Sequence, residues 1–271
     1  MRFILSFYRF LNILSIDIVV GAVVSAMFFA ELLQVRIRPF GLIALGLTVW
    51  IIYTVDHLRD AKRIKHTAST TRHRFHQEHF QLLSICLVIV ILINGVAIFF
   101  IRKQVFEFGF LLSCMVAVYL LVQQSLRFLK ELSIAALYTC GVLLPSITTT
   151  FQDITTIHYL FMFQFGCIAW ANLVMFSWFD QVFDKQDRQN SFVTVLGDTT
   201  TEYFLYALFT FNGFMSIVQY FLNAPLLPIV ILSLMNMTLL FVFIYRRRLG
   251  QDDAYRLIGD AIFLIPIALL L

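Results

Sequence analysis

Charge is what this chain has least of. Only 13% of its 271 residues are Asp, Glu, Lys or Arg, while 60% are hydrophobic and the mean hydropathy is +0.85. So few charges cannot cover the surface of a water-soluble globule of this length, and the composition excludes one. Proline is scarce, with 5 residues, and no Pro/Gly-rich linker or low-complexity segment divides the 11 glycines from the apolar runs around them. The chain is therefore read as a single helical transmembrane domain over residues 1–271, with no separate soluble unit. The 4 cysteines, Cys86, Cys114, Cys140 and Cys167, all fall inside apolar runs without C-x-x-C spacing, which excludes a zinc-ribbon site and a disulfide framework.

What the chain does have is long apolar runs. A span needs about 20 residues, and nine segments approach that length: 11–33, 40–57, 81–101, 106–126, 131–151, 159–180, 202–222, 225–245 and 256–271. The fold class expected is all-α, a polytopic membrane protein of about nine transmembrane helices around a central pocket. The last span is short for a crossing, so it is expected to be tilted, covered by neighbours, or ended at the far interface. The first lacks a small-residue cleavage site and is expected to be retained.

The basic residues are unevenly distributed. With the N-terminus on the cytoplasmic side, 16 of the 20 Lys and Arg fall on that side, Lys65 and Arg188 among them; Arg36, Arg38, Arg102 and Lys103 are left outside. This is the positive-inside asymmetry, and it orients a multi-pass protein in contact with membrane lipids rather than marking a nucleic-acid surface. The loops with room for chemistry are 58–80, 181–201 and 246–255, all on the basic side. The first two are expected to cap a site.

Two acidic stretches stand at the ends of apolar runs on that side: Asp56 and Asp60 in YTVDHLRD, and Asp180, Asp184 and Asp187 in WFDQVFDKQD. Residues four apart on a helix share a face, so these carboxylates stack and repel. Acids at helix C-termini also oppose the helix dipole. Surface pairing with Arg59, Lys62, Lys185 and Arg188 is the plain alternative. An unfavourable placement made twice points instead to a bound divalent cation, and Mg²⁺ suits an all-oxygen set completed by waters and phosphate oxygens. The metal candidates are thus Asp56, Asp60, Asp180, Asp184 and Asp187, the first four also as catalytic residues.

The second stretch, DQVFDKQDRQNSFVTVLG over 180–197, resembles the acidic motif of the UbiA-type intramembrane prenyltransferase superfamily, with Thr194, Val195, Leu196 and Gly197 as its tail. The first stretch departs from that pattern: where the family places Asn four residues before the first Asp, this chain has Ile52 and Tyr53. The resemblance implies nine helices and an allylic prenyl diphosphate held through Mg²⁺. Ionisation of that substrate would be followed by transfer to a lipid-soluble or aromatic acceptor. A terpene cyclase of the same superfamily, which folds the cation back on its own double bonds, is the alternative, and a cation-binding transporter or scaffold is a third reading.

Candidate substrate-binding residues follow. Arg72, Arg74, Arg127, Lys130 and Lys185 are positioned to meet phosphate oxygens, and Tyr119 and Tyr138 flank the basic end carrying Arg127 and Lys130. Asn12 and Asn172 are polar at membrane depth, as are Asp17, Gln123, Gln124 and Asp260. His57, His66, His73, His76 and His79 crowd the first loop, where RHRFHQEHF reads as a solvated helical turn rather than a zinc motif.

Overall fold

The computed structural model describes residues 2–64, 66–151, 153–187, 189–250 and 253–270, with side chains from Leu5 onward; Lys65 and Arg188 lie outside the described residues. Among the described residues there is no strand. The helices are α1 (Arg2–Ile13), α2 (Ile16–Leu32), α3 (Pro39–Arg63), α4 (Thr71–Glu78), α5 (Phe80–Ile98), α6 (Lys103–Val122) and α7 (Lys130–Ile147). They continue with α8 (Thr156–Gln186), α9 (Phe192–Leu196), α10 (Asp198–Phe221), α11 (Leu226–Ile244), α12 (Arg246–Leu249) and α13 (Ala254–Ala261). Short 3₁₀ segments, Arg127–Leu129 and Ile262–Leu269, precede α7 and follow α13.

Seven of these segments are each long and apolar enough to cross a membrane: α3, α5, α6, α7 with its leading turn, α8, α10 and α11. The first expected span is not one straight rod. It breaks between α1 and α2, which meet at 81°. The hinge is Ser15, which sits in the left-handed region at φ 58, is 1% exposed, and places its hydroxyl 3.4 Å from His57 Nε2. A serine there carries a backbone cost that tertiary packing sustains. The last expected span is α13 running on into the 3₁₀ segment, and it is covered by its neighbours α2 and α11.

Two glycines explain that burial. A Cβ on Gly21 would come 2.7 Å from Phe263 Cβ, and one on Gly259 would come 2.5 Å from Phe176 and 2.8 Å from Asn172 Oδ1. Only glycine lets the C-terminal helix press this closely against α2 and α8. The contact delivers Asp260 to the bundle interior. The core behind it is aromatic, with Phe29, Tyr138, Phe165 and Phe263 meeting edge to face or stacked at centroid separations of 5.2 to 6.2 Å.

Helix length determines where the acids emerge. The 31 residues of α8 span about 46 Å, longer than a hydrocarbon core of about 30 Å, so one end must project. Because Asp180 and Asp184 lie in its last two turns and Asp187 caps it, the three acids of the second stretch are carried by α8 and its cap. The end of α3 likewise carries Asp56 and Asp60, four residues apart on one face. The loops are ordered as small helices. In α4, Thr70 accepts from the His73 amide as N-cap. In α9, Ser191 and Thr194 form a capping box.

Candidate active site

The first motif is built on a stripe. Ala44, Thr48, Ile52, Asp56 and Asp60 follow at four-residue steps along α3, so an apolar face ends in two carboxylates. Gln123, at the end of α6, donates its amide to Asp56 Oδ1 at 2.8 Å and accepts from the Tyr119 hydroxyl at 3.1 Å. Asp60 is 7% exposed and lies 3.9 Å from His73 Nε2. Lys130, the first residue of α7, stands within electrostatic reach of Asp56, Asp60, Glu131 and Asp184. Asp60 also feels Asp187. Carboxylates of α3 and α8 thus act electrostatically on one ammonium from the same end of the bundle.

Asp187 joins the two acid-bearing regions directly. Its Oδ1 accepts from Ser69 at 2.9 Å and meets His66 Nε2 at 3.2 Å, tying the α3–α4 connection to the end of α8. Gln77 does the same locally. Its side-chain amide donates to the carbonyls of Ala61, Ile64 and His66 at 3.2, 3.1 and 3.0 Å, and its oxygen accepts from the Ala68 amide at 2.9 Å. These are carbonyls that the end of α3 leaves without helical partners.

Asp180 is differently placed. Its two oxygens meet the Tyr255 hydroxyl and the Arg256 guanidinium, both from α13. Arg256 also stacks over Phe176 at 4.9 Å. Glu131 accepts from the Phe192 amide at 2.8 Å, placing a carboxylate at the start of α9.

The candidate substrate residues separate into groups. Lys130 and Tyr119 stand at the acidic cluster. Arg72 does not present its guanidinium freely. It donates to the Asn12 side chain at 2.9 Å and backbone carbonyl at 3.2 Å and lies 3.8 Å from Asp260 Oδ2. The Asn12 amide in turn reaches Asp260 at 2.7 Å and Asp17 at 2.5 Å, so Asn12 and Arg72 knit α1, α2, α4 and α13 through a buried polar network. Burial and the neighbouring Arg256 pull the Arg72 guanidinium below its ordinary pKa. Arg74 is exposed and donates to the Ala68 carbonyl at 3.4 Å, Arg127 is exposed, and Lys185 is exposed beside Gln181 at 3.4 Å, so none of these three is gathered into the cluster.

The histidine-rich turn is helical as expected but not fully solvated. His76 is 2% exposed, packs its ring 4.9 Å from that of His57, and bonds the Arg72 carbonyl through Nδ1 at 2.9 Å. The helix turns one face inward, onto α3. Among the described residues, no three His, Cys, Asp or Glu side chains converge closely enough to hold a metal ion by themselves.

Two cavities adjoin the cluster. The larger, about 230 Å³, lies between α3, α6 and α7 and begins at Ile52, Tyr53, Tyr119 and Ile134, each within about a turn of Asp56, Gln123 or Lys130. It is open because α6 leans on α7 and barely touches α3. The smaller, about 20 Å³, is interior and is lined by Asn172, Asp260 and Phe263. Both share Tyr53, Ile134 and Tyr138. The Asn172 side-chain oxygen is buried there without a hydrogen-bond partner.

Sequence reasoning listed Asp56, Asp60, Lys130 and Tyr119, which the structure brings together. Gln123 was visible as a polar residue at membrane depth, but nothing in the sequence linked it to Asp56. Arg256 counted only toward the basic excess on one side, and Tyr255, Glu131 and Gln77 carried no signal at all.

This is the architecture of UbiA-type intramembrane proteins, and the chain has their fold. An apo UbiA homologue from Aeropyrum pernix K1 aligns with TM-score 0.68 at 11% identity, over 94% of this chain and 96% of that one. A UbiA homologue from Archaeoglobus fulgidus bound to DMAPP and Mg²⁺ aligns with TM-score 0.65 at 12% identity, over 96% and 98%. A digeranylgeranylglyceryl phosphate synthase structure aligns with TM-score 0.56 at 12% identity, over 96% and 95%. No family model and no curated protein matches the sequence.

Proposed function

We propose that this protein is a Mg²⁺-dependent intramembrane prenyltransferase that ionises a prenyl diphosphate and passes the prenyl group to an acceptor. The observation that carries this is that carboxylates of α3 and α8 share the field of Lys130 at one end of the bundle, and that an apolar groove opens within a turn of Asp56 and Lys130. A charged head and an apolar tail are what this shape and polarity accommodate. Solved proteins of this fold bound to DMAPP or GPP with Mg²⁺ support the reading.

The donor set fits the metal. It is all oxygen, the chemistry that Mg²⁺ takes, one or two carboxylates at a time, with waters and phosphate oxygens completing its shell. Asp56 and Asp60 on α3, and Asp184 and Asp187 at the end of α8, would each offer such a pair to a Mg²⁺ ion, with Asp180 one turn before the second pair. Bound there, Mg²⁺ supplies charge neutralisation at the diphosphate oxygens.

The residues perform the rest. Gln123 holds the Asp56 carboxylate in orientation, and Tyr119 holds Gln123. Lys130 adds a fixed positive charge where negative charge develops on the leaving diphosphate as the carbon–oxygen bond breaks. Arg256, now on Asp180, has a second anion to turn to when diphosphate arrives, and that exchange frees Asp180. The faces of Tyr53 and Tyr138 line the start of the groove, where an allylic cation forms. The helix α4 and its connection, fastened by Asp187 and Gln77, cover the cluster and limit water that would quench that cation. The cluster and α4 lie on the basic side, which we assign to the cytoplasm with the N-terminus.

The test is product analysis. Purified protein in detergent is incubated with Mg²⁺ and geranyl, farnesyl or geranylgeranyl diphosphate, without and then with aromatic or lipid-soluble acceptors. Turnover that needs an acceptor supports the transferase. A hydrocarbon formed without one replaces it with a cyclase, and no turnover under either condition contradicts both.

A further inference from the structure

The smaller interior cavity is a chamber for a single group. Its volume is about 20 Å³, where one water needs about 10 to 15 Å³. It admits an O–H or N–H group and no ring. Asn172 from α8 and Asp260 from α13 are its amide and its charge, and the rest of its lining is apolar or aromatic. Gly259 brings the two together, because a Cβ there would stand 2.8 Å from Asn172 Oδ1. Asn172 is 3% exposed, and its side-chain oxygen is buried without a hydrogen-bond partner. Asp260 is equally buried at 3%, and among the described residues its partners Asn12 and Arg72 both engage Oδ2, which leaves Oδ1 for a ligand. A buried acceptor without a partner is costly and calls for an explanation. Both groups accept, so what completes the chamber is a donor.

The chamber lies beside the reacting centre. Tyr53, Ile134 and Tyr138 line both cavities, and Tyr53, three residues before Asp56 on α3, is within electrostatic reach of both Asp56 and Asp260. The donor that fits must also have electrons to give to an allylic cation. An ammonium held by Asp260 has no lone pair. A carboxylate or phosphate is repelled by Asp260 and by Asp17, which Asn12 ties to it. A hydroxyl group carries both a proton and lone pairs, and it is uncharged.

We propose that this chamber receives the hydroxyl group of a lipid-soluble alcohol as the prenyl acceptor, with Asp260 taking its proton and Asn172 orienting it. The bond between the allylic carbon and the diphosphate oxygen breaks, and its electron pair leaves with diphosphate. A lone pair of the hydroxyl oxygen then bonds to that carbon. The proton lies toward the Asn172 oxygen on entry and passes to Asp260 as the new bond forms, giving a prenyl ether; Asp260 afterwards releases the proton to water. A weak base suffices, because an alcohol bonded to a cationic carbon is strongly acidic. The inference rests on the proposed function and adds the acceptor's chemical class and the residue that deprotonates it.

The experiment compares the unaltered protein with Asp260→Asn, Asn172→Leu and Asp56→Ala, all in detergent with Mg²⁺. The substrate is geranylgeranyl diphosphate carrying a heavy oxygen isotope at its bridging position, supplied with decanol or with dimethoxybenzene, a ring without a hydroxyl group. One readout is the bond formed in the product. The other is migration of the heavy oxygen to non-bridging positions in recovered substrate, which reports ionisation and return without capture. The unaltered protein is expected to form the decyl ether. In Asp260→Asn ether formation should fall about a hundredfold while migration continues. Asn172→Leu removes the unpaired oxygen, so its Tm should hold or rise while ether formation falls several-fold. Asp56→Ala should stop both readouts, because it acts on ionisation.

Ether formation at the unaltered rate in folded Asp260→Asn and Asn172→Leu would overturn the assignment. So would a folded Asp260→Asn that loses ether and migration together, as a purely structural acid would. A bond to a ring carbon of dimethoxybenzene formed as fast as the ether, or geranylgeraniol as the sole product in the presence of decanol, would overturn the alcohol as acceptor. If the unaltered protein shows neither migration nor product, the proposed function itself fails and takes this inference with it.

Discussion

Gln123 donates its side-chain amide to Asp56 across 67 residues of sequence, at 2.8 Å, so the end of α6 holds the first carboxylate of α3 in place. A partner of this kind, one step removed from the ion, typically changes metal affinity by about 10- to 100-fold when lost. Gln123→Leu is therefore expected to raise the Mg²⁺ concentration needed for half-maximal diphosphate release by about tenfold. Tyr119→Phe, which removes only the 3.1 Å bond behind it, should have the smaller effect. The check is a Mg²⁺ titration at saturating prenyl diphosphate.

The pair formed by Asp180 and Arg256 is half-sheltered, with side-chain exposures of 13% and 21%. Removing one partner leaves the other charge without its counter-ion. Arg256→Leu is expected to lower stability by about 3 kcal/mol, read as a fall in Tm in detergent. The double variant Asp180→Asn with Arg256→Leu should regain much of that stability and none of the turnover. That separation distinguishes a functional acid from one that only anchors α13.

Both acidic stretches could be read from the sequence because apolar helices ending in stacked carboxylates leave a pattern four residues long. The tail of the second was legible for a further reason: Gly197 sits at φ 84 between α9 and α10, where a side chain would be strained. The motif is a helix break as much as a chemical signal. What could not be read depended on distant chain segments meeting. Arg72 is a candidate phosphate ligand because it is basic and near the first motif; that it also joins a buried network with Asn12 and Asp260, 188 residues further on, could not be read. Arg256 belonged to the orientation signal until α13 was seen against α8. The break at Ser15 left no trace because serine is not a residue that usually adopts φ 58.

Asp187 binds Ser69 and His66, so the α3–α4 connection is fastened to the end of α8. The double variant His66→Ala with Ser69→Ala is expected to expose the α3–α4 connection, and limited trypsin digestion should cut there several-fold faster than in the unaltered protein. Bound prenyl diphosphate with Mg²⁺ should slow the cleavage in both.

His76 gives the cover a pH dependence. Its ring is buried against His57, with Arg72 and His79 as the other charged or titratable neighbours, and burial followed by the positive charge of Arg72 pulls its pKa below the ordinary 6.5, although the Arg72 carbonyl opposes the shift. The folded protein prefers the neutral ring, so the contribution is complete above pH 6.5 and is lost as pH falls below that value. Wild-type Tm should drop more steeply than that of His76→Gln between pH 7 and pH 5, measured in the same detergent. Parallel curves would remove His76 from the account.

If carboxylates from α3 and α8 act on one diphosphate through Mg²⁺, the purified protein should release inorganic diphosphate from geranylgeranyl diphosphate. Release in the unaltered protein is expected to depend on Mg²⁺, to be abolished by chelation and to fall at least a hundredfold in Asp56→Ala and in Asp184→Ala, with both variants still folded by Tm. Release that persists in either folded variant, or that proceeds equally without divalent ions, would contradict it.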